Sequence, residues 1–352
     1  MRYLGKLRRG LLAMTVCLAG VLIGTTVAVL IGTWDQWQAW YAAYRLRTTL
    51  DDTRRLQAAE RLLALGPSAR PQVIQSLLHG NDAVRAALIQ AWHNHIPTLP
   101  LDSVQDWLTE LINAWTIADE SAQQAILAWL TSTLRREADV PIPACQQLAR
   151  LGLHSPYVSV RYQAVTLAVH PRLGLQAELL PLLKDAEATV RRAALFAVTA
   201  TEEASLLLPD EELFHWLHDP DEGVRRICYD ALVSRGRTVL EIDLGRRLTN
   251  PEAAERLKLI AELRYDEVVA DPEPWLQRLV RDPEAAVRVA AVRAVAELRA
   301  AQRLLCPAWV ETAIQNDPDT LARQLMRYYQ QLPVRLVNGS VIPADGAPVP
   351  PR

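Results

Sequence analysis

Five arginines with the same neighbour are the residues of this sequence best suited to binding chemistry. Each follows a valine, in the pairs Val84-Arg85, Val160-Arg161, Val190-Arg191, Val224-Arg225 and Val287-Arg288. Acidic turns precede three of them, beginning at Asp185, Asp219 and Asp282. A guanidinium holds a carboxylate or a phosphate through two parallel hydrogen bonds. The pattern therefore predicts either ion pairs inside the protein or a stripe of arginines that binds phosphate groups.

Two histidines have a spacing that metal ligands also use. His215 and His218 are three residues apart, which puts them on one face of a helix. His218 holds the helix-end position that Lys184 and Arg281 hold in similar segments, where the helix dipole favours a cation. We therefore predict a helix-end role for His218 and no metal site.

No other group of residues forms a recognisable catalytic motif. His93 and His95 are two residues apart at a predicted helix end, so their side chains diverge. The sequence has no nucleotide-binding loop, serine-hydrolase elbow or zinc-protease motif. The cysteines stand singly and are predicted to be small buried thiols: Cys17, Cys145, Cys228 and Cys306. The sequence therefore predicts no catalytic residue and no cofactor.

Tryptophan is unusually frequent, with ten Trp against two Phe. Four of these residues crowd the first part of the chain: Trp92, Trp107, Trp115 and Trp129. Their rings could line an aromatic groove for a ligand, because tryptophan is common in binding hot spots. The alternative, which we favour, is that they fill the core between longer helices.

A repeated pair of helices must position these residues. After each valine–arginine pair, small or apolar residues such as Ala194 and Leu195 recur at helical spacing. Before the pair, an acid and a proline mark a helix start, and Asp219 is predicted to cap one such helix. A first helix precedes each start: Leu101–Trp115, Pro143–Leu153, Leu175–Lys184, Leu208–His218, Leu240–Thr249, Pro272–Arg281 and Cys306–Gln315. Two helices in each of about nine units predict an all-α solenoid.

The units read Asp-Pro-x-x-x-Val-Arg before an alanine-rich helix and recur every thirty-odd residues. This pattern resembles HEAT repeats, especially the short bacterial type also seen in phycobilisome lyase subunits. The resemblance covers about residues 50–332 and implies a right-handed α-solenoid, with first helices on its convex face and second helices on its concave face. It also implies a ladder of Arg–Asp pairs between neighbouring units, which explains the accompanying acids better than phosphate binding does. The implied ladder residues are Arg85, Arg161, Arg191, Arg225, Arg288, Asp185, Asp219 and Asp282.

The N-terminal segment is predicted to be a membrane anchor. Residues 11–34 carry no charge and would form a helix about 36 Å long, enough to cross a ~30 Å hydrocarbon core. Residues 1–10 are basic, and residues 35–49 carry aromatic rings of the kind that lies at a membrane interface. The basic end should stay in the cytoplasm, which places the solenoid on the outer side of the cell (inner) membrane. A cleaved signal peptide is the disfavoured alternative, because the apolar run is long and lacks a clear cleavage site.

The two ends of the chain carry further predictions. Small residues fall at every fourth position of the predicted anchor, at Gly20, Gly24, Ala28 and Gly32. Such a stripe lets two membrane helices approach closely and predicts a homodimer, although membrane helices are rich in small residues in any case. Residues 333–352 are rich in proline and are predicted to be a disordered tail.

Composition limits the classes of function. The net charge of −2 and the pI of about 6.4 give no overall basic field of the kind that nucleic-acid-binding proteins use. The sequence therefore predicts a non-catalytic, membrane-anchored scaffold that binds a partner protein or peptide, with no nucleic acid as ligand. One alternative is an accessory lyase-like or other enzyme subunit on the same scaffold. Another is a nucleic-acid-binding solenoid, which a reversed membrane orientation would permit.

Overall fold

The computed structural model describes the chain in the ranges 34–136, 139–200, 207–265, 271–300, 308–331, 334–337 and 340–343. These ranges are mostly helical, which confirms the predicted helical class. Contacts divide the chain into two compact units, Met1–Val198 and Thr199–Arg352. Within the ranges given, no helix is both long and apolar enough to cross a membrane. All of the predicted anchor except Trp34 lies outside these ranges.

Helices in two rows make up the first unit. In chain order they are α1 (34–48), α2 (Asp52–Ala64), α3 (Arg70–His79), α4 (Asp82–His95), α5 (Leu101–Ala114), α6 (Glu120–Leu134), α7 (Ile142–Leu153), α8 (Val158–Ala168) and α9 (Ala188–Thr199). Helices α2, α4, α6 and α8 pack side by side in one row, and α3, α5 and α7 form the other. Each helix of one row is followed in the chain by a helix of the other, so the apolar stripes of both rows meet in a continuous core.

The segment before α9 differs from its prediction. The sequence predicts an α-helix over Leu175–Lys184, whereas the structure has a 3₁₀-helix over Gln176–Lys184. Pro181 lies inside this segment, where it lacks the N–H that an α-helix requires and crowds the preceding turn. Leu179 and Leu183 are still buried, so the segment covers the core as a first helix would.

The second unit continues the alternation. Its helices are α10 (Asp210–Trp216), α11 (Glu222–Ser234), α12 (Val239–Leu248), α13 (Ala253–Tyr265), α14 (Glu273–Leu279), α15 (Ala285–Ala300), α16 (Ala308–Asn316) and α17 (Thr320–Gln331). Helices α13, α15 and α17 pack side by side, and α10, α12 and α14 form the opposite row. Helix α11 precedes α13 in the first row but packs against it less closely than α13 packs against α15. The core contains fully buried side chains from five helices: Leu259, Leu276, Val287, Ile314 and Met326.

The predicted cap of α11 is wrong by two residues. Asp221, rather than Asp219, is the N-cap, and its carboxylate accepts a hydrogen bond from Val224 N at 2.9 Å. Asp219 instead accepts from Asp221 N at 2.8 Å, which closes the turn before the helix. The helix therefore begins at Glu222, because the acid nearest to the free N–H groups caps it.

Part of the predicted disordered tail forms a β-hairpin. Strands β1 (Val334–Val337) and β2 (Ser340–Pro343) pair antiparallel, with Val334 opposite Pro343 and Val337 opposite Ser340. Both strands are rich in β-branched residues, and the sequence between them is Asn-Gly, the dipeptide most typical of two-residue hairpin loops. The prediction of a disordered tail considered the proline content of the segment and overlooked this hairpin sequence.

Candidate functional site

Ion pairs between arginine and aspartate join successive helix pairs. Arg288, at the start of α15, donates from Nε to Oδ2 of Asp317 at 2.6 Å and from Nη2 to Oδ1 at 3.1 Å. The two side chains are only 9% and 1% exposed. The same two-bond geometry, with distances of 2.7 to 3.0 Å, occurs in Arg161–Asp185 and Arg256–Asp282.

Each of these arginines also holds the turn before its own helix. Arg288 donates from Nη1 to the carbonyl oxygens of Asp282 and Pro283, both at 2.8 Å. Its partner Asp317 accepts a further hydrogen bond from Asp319 N at 2.8 Å, which closes the next turn. One guanidinium therefore fixes two consecutive turns of the stack. Arginine is needed at this position because its Nε and Nη2 donate to the carboxylate while its Nη1 donates to the backbone.

The pairing stabilises the charged form of both partners. Burial by itself would raise the pKa of Asp317, but the hydrogen bonds from Arg288 and from Asp319 N outweigh it and hold that pKa below its ordinary 3.8. The pKa of Asp185 is lowered in the same way, against its burial, by Arg161 and by Glu187 N. The hydrogen bond to Asp317 raises the pKa of Arg288.

Sequence reasoning missed several members of this ladder. Arg256 pairs with the predicted ladder residue Asp282, and Asp317 is the partner of Arg288. Arg323 follows an alanine rather than a valine, and it donates to the backbone oxygen of Asp317. The turns Asn250-Pro251 and Asp317-Pro318 are visible in the sequence, but Glu255 stands where valine would precede Arg256.

Among the predicted ladder residues of the first unit, Arg85 differs from Arg161 in the bonds that it makes. Arg85 donates from Nε to Leu77 O at 2.8 Å and from Nη2 to Leu78 O at 2.9 Å, so it ties down the end of α3. The nearest carboxylate of the following helix pair is that of Asp119, at 3.5 Å. Arg191 donates from Nη1 to the carbonyl oxygens of Asp185 at 2.8 Å and of Ala186 at 3.0 Å, and so holds the turn before α9 as Arg161 and Arg288 hold theirs.

The ladder is interrupted at Arg225. This side chain donates from Nη1 to the carbonyl oxygens of Asp219 and Pro220, both at 2.9 Å, and no carboxylate in the described part of the chain forms an ion pair with it. The turn that should supply its acid has Asn250, whose side-chain oxygen accepts from Glu252 N at 2.9 Å. A neutral amide closes the turn as aspartate does, but it offers Arg225 no negative charge.

A groove lies beside the interruption, between α11 and α12. Its volume is about 440 Å³, and two of its apolar side chains are well exposed, Tyr229 at 38% and Val239 at 69%. Arg225 lies on its wall. The full lining is Leu217, Glu222, Arg225, Arg226, Tyr229, Val239, Ile242, Asp243 and Arg246. The groove thus combines an arginine without a carboxylate partner and apolar surface, which suits a peptide that carries both an acid and an apolar side chain.

The four clustered tryptophans belong to the core and do not form an open groove. They are at most 5% exposed, and the rings of Trp92 and Trp129 stack with centroids 4.4 Å apart. Trp107 packs edge-on against Trp92 at 5.9 Å, and Trp92 Nε1 donates to Thr133 Oγ1 at 3.1 Å. The alternative of an aromatic ligand groove is wrong because α4, α5 and α6 close over the rings.

The histidines and cysteines of the described ranges are placed without metal-binding geometry, while Cys17 and Cys306 lie outside these ranges. Across the ranges that the structure describes, no three His, Cys, Asp or Glu side chains form a group that could hold a metal ion. His218 Nε2 lies 2.7 Å from Arg246 O, so its N–H ties the end of α10 to α12. Burial raises the pKa of the Cys145 and Cys228 thiols to about 12, which makes them poor nucleophiles.

The predicted self-association residues Gly20, Gly24, Ala28 and Gly32 lie outside the described residues, and their role stays a prediction. No protein-family model and no curated protein matches this chain.

Proposed function

We propose that this protein is a HEAT-like, membrane-anchored scaffold without catalytic activity, and that it binds an extended segment of a partner protein in the groove between α11 and α12. The observation that carries the proposal is the interruption of the ladder at Arg225. Elsewhere in the second unit, the guanidinium groups of Arg256 and Arg288 each bind a buried aspartate. The guanidinium of Arg225 binds no carboxylate of the described residues. A carboxylate of the partner would complete this position as Asp317 completes that of Arg288.

A second groove in the same unit supports the comparison. It has about 480 Å³ beside α15 and α16, and Arg288 and Asp317 both line it. There the arginine is already paired, so a ligand acid would have to displace an internal one. The groove of Arg225 also has Glu222 and Asp243 on its walls, but within the described residues neither forms an ion pair with Arg225, and exposed Tyr229 and Val239 offer apolar contact next to the charge. The partner segment should therefore carry an aspartate or glutamate next to an apolar residue.

The membrane attachment and its orientation are part of the proposal. Their support is the uncharged run 11–34, which is preceded by Arg2, Lys6, Arg8 and Arg9. Because basic residues beside a membrane span stay in the cytoplasm, the grooves would face the other side. The partner is then an extracytoplasmic protein or the extracytoplasmic part of a membrane protein.

Site-specific photo-crosslinking tests the groove. The full-length protein carries p-benzoylphenylalanine in place of Tyr229 and is irradiated in its native membranes. We expect an adduct with one major partner, and at least a roughly tenfold weaker adduct in an Asn250→Asp background, where the internal acid occupies Arg225. Arg225→Gln should weaken it equally, whereas Arg135→Gln, a change at an exposed arginine of α6's end, should leave it unchanged.

A second probe position provides the control. Ile117 is 73% exposed in the first unit and does not line the groove, so a photoreactive residue there should not give the same adduct. An adduct at Tyr229 that is insensitive to both Asn250→Asp and Arg225→Gln would overturn the role of the ladder interruption. Equal adducts from both positions would show contact without a specific groove.

A further inference from the structure

A third groove, at the N-terminal end of the described chain, is lined by arginines without carboxylate partners. It lies between α1 and α2 and has a volume of about 530 Å³. Three exposed arginines line it, Arg45 on α1 and Arg54 and Arg61 on α2. The remaining lining residues are neutral: Gln38, Tyr41, Ala42, Gln57, Ala58, Ala64 and Leu65.

The acids on α2 and at its cap are engaged elsewhere. Asp51 is the N-cap and accepts from the backbone N of Arg54 at 2.8 Å. Asp52 forms its ion pair with Arg55, and Glu60 accepts from Asn94 at 2.9 Å. In the part of the chain that the structure describes, the guanidinium groups of Arg45, Arg54 and Arg61 therefore form no ion pair, and the groove has three positive charges with nothing negative on its walls.

Four aromatic side chains of α1 are exposed. Trp37, Trp40, Tyr41 and Tyr44 are between 51% and 63% exposed, and Tyr41 also lines the groove. The rings of Trp40 and Tyr44 stack with centroids 5.9 Å apart. The opposite side of the helix carries Ala39, Ala43 and Leu46, all buried. The buried side of α1 thus holds the rings outward. Arg47 Nη2 also donates a hydrogen bond to Ser76 Oγ of α3 at 3.1 Å, which fixes the position of α1.

We propose that this groove binds the phosphate of an anionic phospholipid headgroup at the membrane surface. The inference rests on the membrane attachment in the proposed function, because the uncharged run 11–34 leads directly into α1. Tryptophan and tyrosine rings settle at the level of lipid headgroups, which brings the arginines of the same helix pair to the phosphate layer. Arginine suits this ligand since its planar fork binds phosphate oxygens in pairs.

A lipid-binding measurement on the full-length protein in micelles of a neutral detergent tests the site. The probe is phosphatidylglycerol with a fluorophore on one acyl chain, and phosphatidylcholine with the same label is the neutral comparison. We expect the protein to bind phosphatidylglycerol more tightly than phosphatidylcholine. Arg54→Gln/Arg61→Gln should lose affinity about twenty-five-fold, from roughly fivefold for each removed charge. Arg54→Lys/Arg61→Lys keeps both charges but not the planar forks, so it should lose less affinity than the glutamine variant, which separates loss of charge from misfolding.

Matched controls separate this site from general attraction to positive charge. Arg135→Gln/Arg327→Gln removes two exposed arginines that line none of the three grooves and should leave the affinity unchanged. An equal loss in this control, or no preference for phosphatidylglycerol, would overturn the inference. Displacement of the lipid by inorganic phosphate at equal concentration would overturn the lipid as ligand and assign the groove to free phosphate.

Flotation with vesicles of pure phosphatidylcholine tests the attachment separately. Binding to these neutral vesicles depends on the apolar N-terminal run and not on the arginines, so the anchored protein floats whichever arginine variant is used. A protein that floats but shows no phosphatidylglycerol preference in micelles refutes only the headgroup site. A protein that does not float, yet binds phosphatidylglycerol through Arg54 and Arg61, refutes only the attachment.

Discussion

The ladder makes a quantitative prediction at Arg288. The change Arg288→Ala removes four side-chain hydrogen bonds, two to Asp317 and two to the carbonyl oxygens of Asp282 and Pro283. It also leaves the Asp317 carboxylate, 1% exposed, without the guanidinium that donates two hydrogen bonds to it. Breaking a buried pair from one side costs about 3–5 kcal/mol, and we expect the lower end because Asp319 N still donates to this carboxylate.

Arg225→Ala is the matched comparison. It removes the two bonds to carbonyl oxygens and orphans no acid, so we expect a loss of only about 1 kcal/mol. The difference of about 2 kcal/mol corresponds to roughly a thirtyfold difference in the local opening equilibrium. Sequence alone gives both arginines the same role, and the two values therefore test the tertiary pairing specifically.

Native-state hydrogen exchange with mass spectrometry is the suitable assay. Stacked repeats need not unfold as one unit, so the free energy should be read locally, from amides of α15 and α17 for Arg288→Ala and of α11 for Arg225→Ala. Adding Asp317→Asn to Arg288→Ala should recover about half of the loss, because the amide removes the orphaned charge and still closes the turn, as Asn250 does. Equal losses in the two single variants, or no recovery in the double variant, would refute the reasoning.

Two further predictions concern the pH dependence of stability and the membrane orientation. Burial lowers the pKa of three histidines below 6.5, namely His95, His170 and His218. The unfolded chain then takes up protons more readily, so the free energy of unfolding should fall as the pH drops through about 6.5, whereas the paired aspartates lose their contribution only below 3.8. Urea denaturation at pH 7.5 and 5.5 measures the first loss, and unchanged stability between these values would contradict it. A phosphatase active only outside the cytoplasm, fused after Leu332, should be active; an inactive fusion that is intact and membrane-inserted would reverse the orientation and favour cytoplasmic partners.

The sequence alone determined the helical class and the local signals within each unit. Spacing of apolar residues and the acid–proline turns are properties of single helices, so they can be read without knowing what packs where. The ladder itself, including Arg161 and Asp185, which the structure joins, was implied by the resemblance to HEAT repeats. The local signals misplaced the cap of α11 by two residues, because two aspartates compete there and only the backbone geometry selects Asp221.

Only the tertiary structure decided which charges meet. Arg225 and Arg288 have similar local sequences, yet the following turn supplies Asp317 as a partner for Arg288 and has the neutral Asn250 in the corresponding place for Arg225, where its side chain accepts from Glu252 N. The sequence of the tryptophan-rich segment is likewise compatible with a groove or with a core. The structure shows a core, because three helices bury the rings. A charge or a ring acts through neighbours distant in sequence, and their identity is fixed by how the helices stack.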